Sequence, residues 1–244
     1  MSLPASVLLV LLAVFGTPLA AADGPTPFPD TKDESAWPGK GPIRSFPYMV
    51  GERKAFWGKR AQDQGAVVFT GDSLTGGWKE LATSFPKLKV ANRGVGGDTS
   101  RGILFRLQED VVDLHPKAVV ITAGANDLSA HGEPANTIFN ISAMVDMLRK
   151  QDPKVAIVIC TIPPQTIAGS VDVPGARQDL RARIQAFAAG KERIVALDLF
   201  PLFALPDGKP DPALFNKDLV HPNEAGHVKW AAALTPVFEQ LKID

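Results

Sequence analysis

Ala66-Val67-Val68-Phe69-Thr70-Gly71-Asp72-Ser73-Leu74-Thr75 is the stretch on which the fold turns. Residues 66–70 form an apolar run without polar alternation, and a tight Gly-Asp-Ser turn then opens a longer periodic segment. A strand with one wet face alternates apolar and polar residues, whereas an unbroken Val/Ile/aromatic run belongs to a strand covered on both faces. The same signature recurs at 89–92, 118–123, 155–161 and 194–198. Helix-like segments lie before, between and after these runs, at 50–62, 74–84, 99–114, 134–151, 174–189 and 223–242. Buried strands alternating with helices imply a parallel sheet packed on both sides. The expected fold is therefore α/β, a three-layer α/β/α sandwich on a five-stranded parallel sheet.

Working outward, residues 23–47 are dense in Pro and Gly (Pro25, Pro27, Pro29, Pro38, Pro42, Pro47) and carry no apolar period, so they read as an extended N-terminal arm. Residues 7–15 are an unbroken apolar run, followed by small residues around Ala20-Ala21-Ala22, the pattern of a secretory signal peptide over 1–22. Its first six residues lack the usual Lys or Arg. A membrane-spanning helix needs about 20 apolar residues, and no Cys stands near the cleavage point to carry a lipid. The expectation is an exported chain, secreted or periplasmic, without stable membrane insertion once the signal is removed, with one domain over 48–244. The 244 residues hold 26 Lys+Arg against 26 Asp+Glu and one Cys. That balance, without any basic cluster interleaved with aromatics, disfavours nucleic acid as a partner. One Cys cannot form an internal disulfide or a Cys-based zinc site.

Ligands of such sheets bind at the carboxyl ends of the strands. The first strand delivers Ser73 on the turn into a helix, a good place for a nucleophile, although an isolated Gly-Asp-Ser also fits a plain helix cap. The second delivers Asn92-Arg93-Gly94-Val95-Gly96-Gly97-Asp98-Thr99, where backbone N–H groups can face a cleft, or which is simply a tight turn. Neither glycine set makes a nucleotide site: Gly77-Trp78 replaces the Lys-Ser/Thr of a phosphate loop, and the second turn lacks the last Gly or Ala of a dinucleotide fingerprint. The third strand delivers Gly124-Ala125-Asn126-Asp127, an uncharged donor or an Asx-turn. After the fifth comes Asp218-Leu219-Val220-His221, whose spacing lets the carboxylate hold its own imidazole.

Each motif alone is weak, but all of them fall at one end of one sheet. A Ser hydroxyl needs a base, and the anionic tetrahedral intermediate needs donors already in place. Ser73 is the candidate nucleophile, His221 the base, Asp218 its orienting acid, and the N–H groups of Ser73 and Gly97 with the Asn126 side chain the oxyanion hole. These blocks resemble those of the GDSL, or SGNH, hydrolase family, most closely its branch similar to the platelet-activating-factor acetylhydrolase catalytic subunit. The resemblance runs from about Val67 to the C-terminus, leaves the arm uncovered, and departs at Ala125, where many members have Thr. It implies a flavodoxin-like fold, no cofactor, and hydrolysis of esters or thioesters by this residue set. Together with the signal, and with no long amphipathic lid, it points to an exported esterase acting on short acyl groups such as acetyl, carried by a carbohydrate or another small ester. A lipid acylhydrolase or thioesterase, and an inactive binding module on the same fold, are the alternatives. Oligomeric state is not readable.

Several residues are set aside. Asp72 and Asp127 are expected to brace loops. Asp198 lacks a His three residues on, and His227 falls inside the last helix. His115 and His131 have no ligand-like spacing, so no metal site is expected. Cys160 and Trp78 read as core, Asn140-Ile141-Ser142 as a glycosylation sequon within a helix, and Arg101 with Arg106 as a solvated helix face. Residues 163–174 and 201–217 are the expected substrate-selecting loops.

Overall fold

The computed structural model describes residues 23–166 and 175–243. The expected signal peptide, and residues 167–174 of the first expected selecting loop, lie outside the described residues.

A helix α1 (Pro47–Gly58) starts at a proline, whose missing N–H costs nothing in a first turn. It leads to strand β1 (Val67–Gly71) and a single helical turn α2 (Ser73–Gly76), then a second turn α3 (Leu81–Ser84) and β2 (Val90–Gly94). There follow α4 (Ser100–Asp110), β3 (Ala118–Thr122), α5 (Ala125–Ser129), α6 (Pro134–Gln151), β4 (Ala156–Cys160), α7 (Ala176–Ala188), β5 (Ile194–Leu197), α8 (Phe200–Phe203) and α9 (Glu224–Leu241). The five strands form one parallel sheet in the order β2-β1-β3-β4-β5, with Val67 opposite both Val90 and Ala118. Successive strand residues face opposite sides. Val68, Val119, Ile121, Ile157 and Ile159 pack under α4, α6 and α7. Val67, Phe69, Val120 and Val158 pack against Trp78 and the α9 residues Trp230, Leu234 and Phe238. The chain leaves β1 for β2 on one side and crosses to β3 on the other, so the ends of β1 and β3 flank a topological switch point.

The helix expected over 74–84 is broken into α2 and α3. Gly76 lies against the β2 backbone, where a Cβ would come within 2.9 Å of the Gly94 carbonyl, and Asn92 Nδ2 donates to Thr75 O at 2.8 Å. That side chain takes a carbonyl that a continuing helix would use. The helix expected over 99–114 ends at Asp110, and its last turn tightens to a 3₁₀ turn over Val112–Leu114.

The arm is extended but packed. Trp37 is buried, stacked on Phe28 at 5.7 Å and tilted against Phe105 of α4 at 5.2 Å. The solvated reading of Arg101 and Arg106 is overturned, since both are buried. Arg101 donates to the arm carbonyls of Glu34, Trp37, Pro38 and Gly41, and Arg106 to Asp98, Asp110 and the Gly71 carbonyl. A guanidinium carries five donors, and the arm, whose regular structure is one 3₁₀ turn at Glu34–Ala36, offers it carbonyls to occupy. Asn140 is also buried and joins Lys40 O and Ser100 Oγ through its amide, so the sequon nitrogen is closed off in the fold.

Candidate active site

Asp72 takes the cap of α2: its Oδ1 accepts the Leu74 N–H at 2.9 Å. Ser73 is therefore free of capping duty, and its Oγ lies 2.9 Å from His221 Nε2. His221 Nδ1 lies 2.7 Å from Asp218 Oδ2, while Asp218 Oδ1 accepts the N–H groups of Val220 at 2.9 Å and His221 at 3.0 Å. Leu219 takes a left-handed conformation, φ 53°, which folds the four residues tightly enough for the carboxylate to meet its own imidazole. A carboxylate only accepts, which assigns the ring proton to Nδ1 and leaves Nε2 to accept from Ser73. Desolvation pushes the Asp218 carboxyl up, but the His221 ring, the two N–H groups and the imidazole charge outweigh it and hold it at about 2.

The glycine-rich turn after β2 closes with Asp98 N–H donating to Val95 O at 3.2 Å, with Gly97 at φ +75° in its third position. That is a type II turn, which asks for glycine there. Gly96 lies over the nucleophile: a Cβ on it would be 3.8 Å from Ser73 Cβ. Asn126, at the head of α5, follows Gly124 at φ +121°, where any side chain would strike Leu180. Its Nδ2 donates to Asp98 O at 3.0 Å and Asp72 Oδ2 at 3.3 Å. All five sequence-derived site residues thus come to one crevice at the switch point. A cavity of about 360 Å³ opens beside Ser73 and His221, rimmed by Gly76, Gly96, Lys79 and Asn216. A larger cavity of about 570 Å³ lies at Phe85, Leu88 and Phe238, away from Ser73 and with no histidine in its lining.

Beneath the crevice lie three buried carboxyls. Desolvation pushes Asp72 up to about 7 and Asp98 up to about 6, the latter against the pull of Arg106 at 2.7 Å. Desolvation also raises Asp127, which accepts from Ser100 Oγ at 2.5 Å and Ser100 N at 2.9 Å and so ties the β3 loop to α4. Asp72 and Asp127 brace loops, as their positions in sequence imply. Asp198 is held by Arg181 at 2.5 Å and by Thr161 at 2.9 Å rather than by a histidine. His227 is buried and stacked on Trp78 at 5.0 Å. Burial pushes the Cys160 thiol up to about 12. Among the described residues no group of His, Cys, Asp and Glu is arranged to hold a metal ion.

Two residues at the crevice, Arg44 of the arm and Tyr48 of the first turn of α1, were not legible in sequence. Arg44 Nη1 donates to Asn126 Oδ1 at 3.0 Å, and Tyr48 Oη donates to Gly96 O at 2.8 Å. Phe46 and Tyr48 stack at 5.6 Å with their rings 9° apart, and both remain exposed, at 39% and 53%. Their contacts span 48 to 82 positions of chain, and the Pro-rich arm has no periodicity to announce them.

A doubly wound sheet carrying a Ser–His–Asp hydrogen-bonded chain at its switch point defines a hydrolase-type α/β protein. The chain belongs to the GDSL-like lipase/acylhydrolase family, whose model matches residues 63–229, and it is an ester-hydrolysing enzyme. Platelet-activating factor acetylhydrolase IB subunit alpha1 of Bos taurus is 28% identical over 197 residues, which cover 77% of this chain and 76% of that protein. A GDSL-like lipase of Bacteroides thetaiotaomicron superposes with a TM-score of 0.68 at 27% identity, over 77% of this chain and 97% of that one. A carbohydrate esterase family 3 protein of Talaromyces cellulolyticus shares the fold, with a TM-score of 0.51 at 17% identity over 72% and 97% of the two chains.

Proposed function

We propose that the protein is an exported serine esterase that removes short acyl groups, acetyl foremost, from a ring-bearing alcohol such as a sugar. The observation that carries this reading is the continuous hydrogen-bond chain from Asp218 through His221 to Ser73. Ser73 Oγ attacks the ester carbonyl while its proton passes to His221 Nε2, and the carbonyl oxygen takes the negative charge. The N–H groups of Ser73 and Gly97 and the Asn126 amide stabilise that charge; Asn126 does so by exchanging its longer bond to Asp72 for one to the oxyanion. Collapse expels the alcohol, which takes the proton from His221. Water, deprotonated by the same imidazole, then attacks the acyl-enzyme, and release of the acid restores Ser73.

Short acyl chains are supported by the modest cavity beside Ser73, with its glycine-built wall, and by the acetylhydrolase name of the curated relatives. A ring-shaped alcohol is supported by the exposed Phe46 and Tyr48 faces at the rim, since aromatic faces attract the C–H faces of sugars and other rings. Export rests on the signal-like residues 1–22; no described helix is long and apolar enough to cross a membrane. The test is turnover of acetyl, butyryl and palmitoyl aryl esters and of acetylated sugars. Acetyl esters are expected to be hydrolysed fastest, and a preference for palmitoyl would replace this reading with that of a lipid acylhydrolase. In the same assay Ser73→Ala and His221→Ala should lose turnover, and a Ser73→Ala variant as fast as the wild type would end the assignment.

A further inference from the structure

The junction of the arm with α1 meets the crevice at two points, one on Asn126, assigned above to the oxyanion position, and one on the peptide that carries the Gly97 N–H. At the first, Arg44 Nη1 holds Asn126 Oδ1 at 3.0 Å. A guanidinium only donates, so it captures the carbonyl end of the carboxamide and leaves the NH₂ end facing Asp98 O and Asp72 Oδ2 at the floor of the crevice. At the second, Tyr48 Oη donates to Gly96 O at 2.8 Å. The Gly96 carbonyl and the Gly97 N–H are the two ends of one trans peptide plane and point in opposite directions. A phenol fixing the carbonyl therefore also fixes the direction of the N–H. The contact is close: a Cβ on Gly97 would come within 2.9 Å of both Phe46 Cε2 and Tyr48 Oη. Control of this plane matters because glycine on both sides of it lets the peptide rotate easily between turn types, and rotation would aim the N–H away from the nucleophile.

We propose that residues 44–48, where the arm runs into α1, clamp the oxyanion site, with Arg44 and Tyr48 as positioning residues that preset the Asn126 amide and the Gly97 N–H. The proposal rests on the serine esterase reading. It places part of the working site outside residues 63–229, the region matched by the family model. Donors aimed in advance lower the transition state without lowering the ground state, so their misorientation appears in kcat rather than in KM.

The test is aryl acetate hydrolysis by the full chain, with inhibition by an aryl trifluoromethyl ketone measured alongside. That ketone takes Ser73 Oγ onto its carbonyl carbon and the hydroxyl proton onto His221, leaving an oxyanion where the ester would place one. Tyr48→Phe and Arg44→Ala are each expected to lower kcat about tenfold with KM changed less than about twofold, the loss being smaller than for a deleted donor because the donor is still present. Inhibition constants for the ketone should weaken in parallel, and Arg44→Lys, which keeps a donor, should recover part of the loss. Should Arg44→Ala fail to fold, Tyr48→Phe and Arg44→Lys, which keep most of the bulk, carry the same measurements. Unchanged kcat in both Tyr48→Phe and Arg44→Ala, or a loss confined to KM with ketone inhibition unaltered, overturns the clamp while leaving Ser73-dependent turnover in place. Absence of Ser73-dependent turnover in the wild type would sink the esterase reading and the clamp together.

Discussion

Asp72 and Ser73 are neighbours with separate tasks, because the carboxylate supplies the helix cap that the hydroxyl would otherwise provide. The division leaves Ser73 Oγ with His221, and Asp218 with the far side of the ring. Asn126→Ala deletes an oxyanion donor and is expected to cost on the order of a hundred- to a thousand-fold in kcat; steady-state kinetics with an aryl acetate reads it. Asp218→Asn turns an acceptor into a partial donor opposite Nδ1 and favours the wrong ring tautomer. A loss on the order of a thousand-fold or more, with folding intact by circular dichroism, is the expected outcome. These residues could be read in sequence because each sits within a few positions of a strand end or of its own partner. Arg44 and Tyr48 could not, since their partners lie far along the chain and arginine or tyrosine in a Pro-rich stretch has no local signature.

At the scale of elements, the arm owes its place to α4. Arg101 is buried and reaches four arm carbonyls, and Thr99 Oγ1 donates to a fifth, that of Pro42, at 3.0 Å. These bonds replace pairing that an arm with one short 3₁₀ turn would otherwise seek from water. Arg101→Met keeps much of the apolar stem and removes every donor, leaving the Trp37, Pro38 and Gly41 carbonyls without that partner. It is expected to destabilise the protein by about 3 kcal/mol and to open residues 23–47 to proteolysis; denaturant unfolding and limited digestion check the two effects. The central strands β1, β3 and β4 were legible because parallel strands buried on both faces leave nearly continuous apolar runs. The break between α2 and α3 was less so, because it depends on how closely Gly76 approaches β2, a tertiary distance that helical periodicity does not encode. Arg101 and Arg106 were misread for a related reason: five residues apart they stand about 140° from each other round α4, and periodicity does not show that the arm covers one and a carboxyl cluster the other.

Across the whole molecule, the buried acids set a pH dependence. Asp72 at about 7 and Asp98 at about 6 hold protons in the folded state that they release at lower pH when unfolded. A carboxyl raised in this way favours folding fully below its unfolded value, and the contribution is lost as pH rises through the folded one. Asp218, held at about 2, works in the opposite sense, its contribution being lost as pH falls towards that value. The thermal midpoint is thus expected to be highest near pH 4 and to fall between about pH 4 and pH 7. The fall should shrink in Asp72→Asn, and a flat profile across that window would contradict the assignment. The sheet order and its switch point explain why motifs up to 148 positions apart share one crevice. The central claim is that Ser73 is the activated nucleophile of this crevice, and its most direct measurement is covalent labelling with an aryl phosphonofluoridate followed by peptide mapping. The account predicts one adduct per chain, on Ser73, forming as activity disappears and failing to form in His221→Ala; an adduct on another residue, or full activity in a chain labelled at Ser73, would contradict it.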